Sequence, residues 1–312
     1  MANTVKRAFP KRSSISIAST TRNYQDPNRN RSGNDATTPR RTIIRGQSAA
    51  SLLREAALSG MRHITCCCKA IDDFLGGGVS VGRMTEFCGV SGSAKTQIGL
   101  QLALDVQLPP PQGVGGQCIY IDTANGVNAH RMHSMARSFH RHAGFATEQQ
   151  MLSNVLILRC TTLEQLEDVL ERLLPSVLCG RDRHYSGKFH RVKLVVVDSI
   201  SFLVKYSDDI VPRILHLGQV LGRLCANFGV AVVCMNQMTS KKVNSVTRIV
   251  PALGHCWTSL LNTRVLLMMI GEQRCAKLIK SAHNAKTNAV GYFKVSNGGI
   301  RDDKRKSKTH VQ

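Results

Sequence analysis

The 312-residue chain carries 42 Lys and Arg against 20 Asp and Glu, a formal net charge of +22, with 42% hydrophobic residues. That length allows one sizeable domain, or a domain with a modest second module, and the apolar fraction is enough for a buried core, which excludes a wholly disordered chain. No apolar run reaches the roughly 18 residues that span a bilayer and no hydrophobic signal segment opens the chain, so an intracellular protein is expected, with a polyanionic partner, nucleic acid before an anionic membrane surface.

Residues 1–46 are rich in Lys, Arg, Ser, Thr and Asn, contain Asp26 and Asp35 as their only acids, and show little apolar periodicity. They read as a flexible basic arm, with a mitochondrial presequence as the rival reading. "SAASLLREAALS" (48–59) predicts a short helix, and Gly76, Gly77 and Gly78 predict a turn before a strand. From "MTEFCGV" onward, strands and helices alternate. The strands are "QCIYID" (117–122), "NVLILR" (154–159), "VKLVVVDSI" (192–200) and the run over 231–237. The intervening helices follow Thr96, run through 129–142, start at Thr162 and cover roughly 209–227. Thr162 with Gln165 three residues on has the pattern of a capping box, and Leu163, Leu166, Leu170 and Leu173 repeat at helical spacing. The β-branched run before Asp198 is what a strand buried on both faces requires. Alternation of this kind predicts an α/β fold with a mostly parallel sheet flanked by helices, to which "TRVLLMMI", "AKLIKS" and "VGYFKV" add closing strands.

The stretch "GVSGSAKT" (89–96) carries the chemistry. It fits the phosphate-binding template G-x-x-x-x-G-K-[ST] at Gly89, Lys95 and Thr96 but has Ala94 at the second glycine. The template needs a strand before the loop and a helix after it, and both are predicted. Backbone N–H groups over Gly89, Val90, Ser91, Gly92, Ser93 and Ala94 can then hold phosphate oxygens, Lys95 supplies a point charge and Thr96 a hydroxyl for Mg²⁺. Asp198 ends an apolar strand, where its carboxylate can reach a metal-bound water. A Cβ at position 94 resists the backbone conformation the template glycine adopts, at a cost on the order of 1–3 kcal/mol. Weakened nucleotide binding is the expectation.

Other clusters carry less. The eleven cysteines are odd in number and sit largely in apolar contexts, and no C-x-x-C pair occurs, so buried thiols rather than a zinc site are expected. His130, His133, His140 and His142 crowd one predicted helix without an acidic or thiol ligand beside them. "GRDRHYSGKFHR" (180–191) is a basic insertion that reads as a solvated loop, and "KRKSK" (304–308) resembles a nuclear import signal in a basic tail over 304–312.

"EFCGVSGSAKTQ", "IYIDTANG", "LVVVDS" and "NQM", in this order and spacing, resemble the RecA-type recombinase core of eukaryotes. "IDDFLGGGV", "ALDVQLP", "VPALG" followed by Trp257, and "GGIRD" make the chain most similar to the C-paralogue branch of that family, over about residues 48–303. The resemblance implies a RecA-like ATPase core over 47–303 binding ATP and Mg²⁺. In it Lys95, Thr96 and Gln97 would take the phosphates and metal, Asp198 would hold the metal through water, and Arg131 would lie near the adenine. Gln237 would sense the γ-phosphate, which with Lys95 makes up the catalytic pair the family uses. It also places one DNA loop at "LVKYSDDIV" (203–211) and another at "TSKKVNSVTRIV" (239–250), whose Lys241, Lys242 and Arg248 would contact phosphates without reading sequence.

One departure bears on hydrolysis. The family's Asp-Thr-Glu-Gly is here Asp122, Thr123, Ala124, Asn125, Gly126, so the glutamate that would orient and deprotonate the attacking water is missing. Binding with very slow hydrolysis is expected, unless Asn125 or a neighbour substitutes. The resemblance further implies a nuclear paralogue with single-stranded or junction DNA, other paralogues and the strand-exchange recombinase as partners, in homologous recombination repair and meiotic exchange. An autonomous filament-forming ATPase and a noncatalytic scaffold without nucleotide are the alternatives.

Overall fold

The computed structural model describes residues 48–51, 54 and 63–303 except 186, 206–208, 244 and 283–287. The basic arm, the basic tail and most of the helix expected over 48–59 lie outside the described residues, although 49–51 and 54 are helical. The first described strands, β1 (His63–Ile64) and β2 (Val79–Ser80), pair antiparallel around the helix Lys69–Leu75. That helix ends at Gly76 in the left-handed region (φ +78°), where a glycine carries no Cβ penalty.

The predicted alternation resolves into a nine-stranded sheet. Its parallel part holds β3 (Met84–Gly89), β4 (Gln117–Asp122), β5 (Val155–Arg159), β6 (Val192–Asp198) and β7 (Ala231–Asn236). β10 (Thr263–Ile270) runs parallel to β3 and begins an antiparallel extension through β11 (Gln273–Ser281), β12 (Val290–Ser296) and β13 (Gly299–Asp302). The order is β13-β12-β11-β10-β3-β7-β6-β4-β5.

The continuous apolar runs are explained by two cores, one on each face. Cys118, Tyr120, Leu194, Val196, Val233 and Met235 point to one, beneath the helices Lys95–Asp105 and Ala129–Ala143. Their sequence neighbours Ile119, Ile121, Val195, Val197, Val232 and Cys234 point to the other, with Trp257 and the helix Ile210–Phe228. Helix Lys95–Asp105 packs so closely on the first face that a Cβ at Gly99 would lie 2.9 Å from the Tyr120 hydroxyl.

Three local expectations change. The helix after Thr162 keeps its N-cap, with the Thr162 hydroxyl accepting from the Gln165 N–H at 3.3 Å. Gln165 Oε1, however, accepts from the Thr161 N–H rather than returning to Thr162, so the box is not closed. A complete capping box forms instead at Thr147 and Gln150. Farther along, Val169–Leu173 winds as a π-turn closed by the Leu174 N–H to the Val169 carbonyl, and Leu174 rather than Leu173 is fully buried. Burying a leucine contributes about 1.5–3 kcal/mol, more than the ~1 kcal/mol of one regular helical hydrogen bond, so core packing decides the winding. Finally, the strand expected to reach 200 stops at Asp198, and Ser199 stands at the start of the short helix Ile200–Val204 without a side-chain cap bond.

Candidate functional site

The parallel strands deliver their chemistry to one edge, since Gly89, Asp122, Asp198 and Asn236 all end strands there. That is where open α/β sheets place ligands. The β3-to-helix turn has the shape its sequence demands. Gly92 (φ +78°) and Ala94 (φ +79°) are both left-handed, and the helix starts at Lys95. The Ser93 hydroxyl is buried without a partner. Lys95 Nζ donates to the carbonyls of Gly89 at 2.8 Å and Val90 at 2.9 Å, and burial holds its pKa below the usual lysine range against the opposing pull of Asp198.

Asp198 faces this turn from β6. Its carboxylate accepts from the Tyr120 hydroxyl at 2.8 Å; burial raises its pKa, against the opposing pull of the nearby Thr96 and Tyr120 hydroxyls. The ends of β4 and β6 are tied: the Thr123 N–H donates to the Asp198 carbonyl, and its hydroxyl bridges the Ser199 carbonyl and N–H. Lys95, Thr96, Asp198, Ala124, Gln237 and Arg274 share a crevice of about 380 Å³. Ala124 lines it, whereas Asn125, left-handed at φ +53°, is not among the lining residues. Arg274 was not anticipated. It comes from β11 more than 170 residues after the loop, and its Nε is buried without a partner. Only antiparallel pairing in the extension brings it there, and no local motif marks it.

Arg131 is placed differently from Lys95. Its guanidinium donates to Gln97 Oε1 at 2.6 Å and to the carbonyls of Ser296 and Asn297, clamping two elements, and it is not among the lining residues. Gln237 lies at the crevice with its N–H donating to the Ser201 hydroxyl at 3.0 Å. A second cavity of about 440 Å³ continues from Ser91, Lys95 and Gln237 to Met238, Thr239 and Ile249. The crevice is thereby continuous with the segment expected to be a DNA loop.

That segment is a hairpin rather than a loop: β8 (Met238–Val243) pairs antiparallel with β9 (Val246–Pro251). Lys241 stands opposite Arg248, and both are exposed. Like charges across a strand pair repel, and an anion between them relieves that repulsion. Lys242, opposite Thr247, points to the other face near the exposed Ile249. The hairpin is closed at its base by the Ala252 N–H to the Gln237 carbonyl and by Asn236 Nδ2 to the Ala252 carbonyl. Asn236 also donates to Glu86 at 2.7 Å, and Glu86 accepts from Trp257 Nε1 at 2.7 Å and from Arg264, all buried. In the other expected DNA segment, 203–211, residues 206–208 lie outside the described ones.

The histidines of helix Ala129–Ala143 go separate ways: His133 pairs with Glu148, His140 with the Ala146 carbonyl and His142 with the Ser138 carbonyl. All eleven cysteines are free thiols.

The Rad51 family profile matches residues 58–303, a span holding the whole crevice and hairpin. The chain belongs to the Rad51 family. This Rad51-family chain is 31% identical over 277 residues to the DNA repair protein RAD51 homolog 3 of Cricetulus griseus, covering 82% of this chain and 72% of that protein. It is 30% identical to the DNA repair and recombination protein RadA of Metallosphaera sedula, over 83% of this chain and 78% of the relative. It is 31% identical to the meiotic recombination protein DMC1/LIM15 homolog of Mus musculus, over 78% and 71%.

Proposed function

We propose that this Rad51-family protein is a recombinase paralogue of homologous recombination repair that binds ATP with Mg²⁺ and uses the bound state to set its grip on DNA. The observation that carries the reading is the β3-to-helix turn. Left-handed Gly92 and Ala94 on either side of a buried, unpartnered Ser93 hydroxyl, with Lys95 at a helix start, form a cradle whose donors suit a triphosphate. The turn residues Gly89 to Ala94 would hold the phosphates with Lys95. Thr96 and Asp198, which line the same crevice, would hold the metal, and Gln97 would follow on the helix. Arg274 offers a further cation to the same anion, while Arg131 would reach an adenine only by leaving its clamp on Gln97 and the Ser296–Asn297 turn.

Bound Mg-ATP would supply a γ-phosphate beside Gln237, the residue from which the hairpin hangs, and this proximity supports a link between nucleotide and the Lys241, Lys242 and Arg248 surface. Ala124 at the crevice supports slow turnover, since a methyl group can neither orient nor deprotonate water. The core over 47–303 would then work in complexes with other paralogues and the strand-exchange recombinase, in mitotic repair and meiotic exchange. A nuclear protein with a basic arm and tail suits that work. A titration of Mg-ATP into the full chain should show saturable binding that Lys95→Ala abolishes. Equal binding by wild type and variant would refute the site.

A further inference from the structure

The basic insertion at 180–191 is more than a solvated loop. Its chain is fixed at both ends of its polar segment. Asp182 Oδ1 accepts from the His184 and Tyr185 N–H groups, Tyr185 stacks edge-on to His184 and Phe189, and Phe189 is buried in the second core. Gln117 at the start of β4 then grips it, donating to the Lys188 carbonyl at 2.7 Å and exchanging hydrogen bonds with Arg191. On this fixed frame Arg181, Arg183, Lys188 and Arg191 are exposed, and among the described residues none of them makes an ion pair. The nearest acid, Asp182, is spent inside its own turn. Beside them lies a cavity of about 440 Å³ walled by His190, Arg191, Lys193 and the Gly115 turn.

The place matters as much as the charge. β6 starts at Val192, directly after the insertion, and ends at Asp198 in the nucleotide crevice. At about 3.3 Å per residue the two ends lie about 20 Å apart, so the insertion and the hairpin occupy opposite ends of the same sheet.

We propose that the Arg181–Lys193 surface is a second DNA-binding site, which takes the phosphate backbone of a separate duplex segment without reading its sequence. Unpaired cations on an ordered backbone break no ion pair and cost no loop ordering when phosphates arrive, and they release counterions from the duplex. Held at two ends, two DNA segments could be carried by one protein. The hairpin's role rests on the functional reading above, whereas the insertion's does not.

The test uses the full chain and two sets of substitutions, the insertion set R181A/R183A/K188A/R191A and the hairpin set K241A/K242A/R248A, each checked for an unchanged thermal melt. A milder pair, K188Q/R191Q, serves if the fourfold change harms folding. Duplex binding is read by fluorescence anisotropy across a salt series. Duplex capture is read on beads where the protein is first loaded on a single-stranded oligonucleotide. The insertion set should lose duplex capture at least tenfold, keep single-strand affinity within about twofold, and lower the slope of log K against log salt by about 3–4, at 0.9 per phosphate. The hairpin set should keep duplex binding. Wild-type duplex affinity and salt slope in the insertion set would overturn the proposal, as would an acidic polypeptide that binds through these four residues while the duplex does not. Loss of single-strand binding in neither set would refute the hairpin assignment alone.

Discussion

Ala94 shows how much one methyl group can shift. The sequence predicts that a Cβ at this position weakens nucleotide binding, because the loop would have to adopt an unfavourable backbone on contact. The structure holds Ala94 at φ +79° within the folded turn itself, so a cost of that conformation is already borne on folding, before any nucleotide arrives. A left-handed alanine costs about 1–2 kcal/mol, and the extra unfolded-state entropy of glycine offsets about half of that. Ala94→Gly should therefore raise stability by about 0.5–1 kcal/mol in a denaturant titration while changing ATP affinity less than threefold. Position 124 is the opposite case, since its side chain faces the crevice and lacks the needed group. Placing a carboxylate there with Ala124→Glu should raise ATP turnover on the order of 10²-fold, measured as phosphate release with DNA present. Unchanged turnover would mean that the slow step lies elsewhere.

At the scale of elements, the polar cluster on β3 links strands that the site depends on. Glu86 is fully buried and accepts from Asn236 on β7, Trp257 and Arg264 on β10, so one carboxylate fixes the hairpin base against the strand that leads into the turn. Removing one partner of a buried ion pair strands the other charge, at about 3–5 kcal/mol. Arg264→Met should lower unfolding free energy by that amount, and Glu86→Gln with Arg264→Met should recover much of it. Full additivity of the two changes would show that they do not share one network.

Much of this level was legible in the sequence. The runs 118–121 before Asp122 and 194–197 before Asp198 are apolar at every position because both faces are covered, and the turn motif names its own strand and helix. The hairpin was hidden because "TSKKVNSVTRIV" has no apolar alternation that a core would enforce; its exposed strands are specified by mutual pairing alone. Leu173 and Leu174 could not be ranked because the π-turn answers to packing rather than to local spacing. Arg274 and the Glu86 cluster depend on contacts more than 100 residues apart, which no window of sequence contains.

For the molecule as a whole, the net charge of +22 suits a polyanionic partner, and buried Asp105 contributes to the response to pH. Asp105 is fully buried, with both oxygens accepting from Gln101 Nε2 and the Cys67 thiol beside them, and burial lifts its pKa from 3.8 to about 8. The native state thus keeps a proton that the unfolded chain releases above about pH 4. Stability from this group is complete below that pH and declines as pH rises toward 8. Asp105→Asn keeps the neutral shape, so its denaturation midpoint should change less between about pH 5.5 and 8.5 than that of wild type. An identical slope in both would assign the pH response to other groups.

The same Gln101 reaches across the fold to accept from the Ile300 N–H at 3.1 Å. A helix that begins in the β3 turn therefore finds a partner almost two hundred residues later, in β13 at the edge of the sheet. During synthesis that end of the helix waits, its amide group wet, until the ribosome has passed the codon for Ile300. A premature stop a few codons earlier would spare every residue of the crevice and hairpin yet leave this seam open, with Gln101 lacking the partner that ties its helix to the sheet's edge.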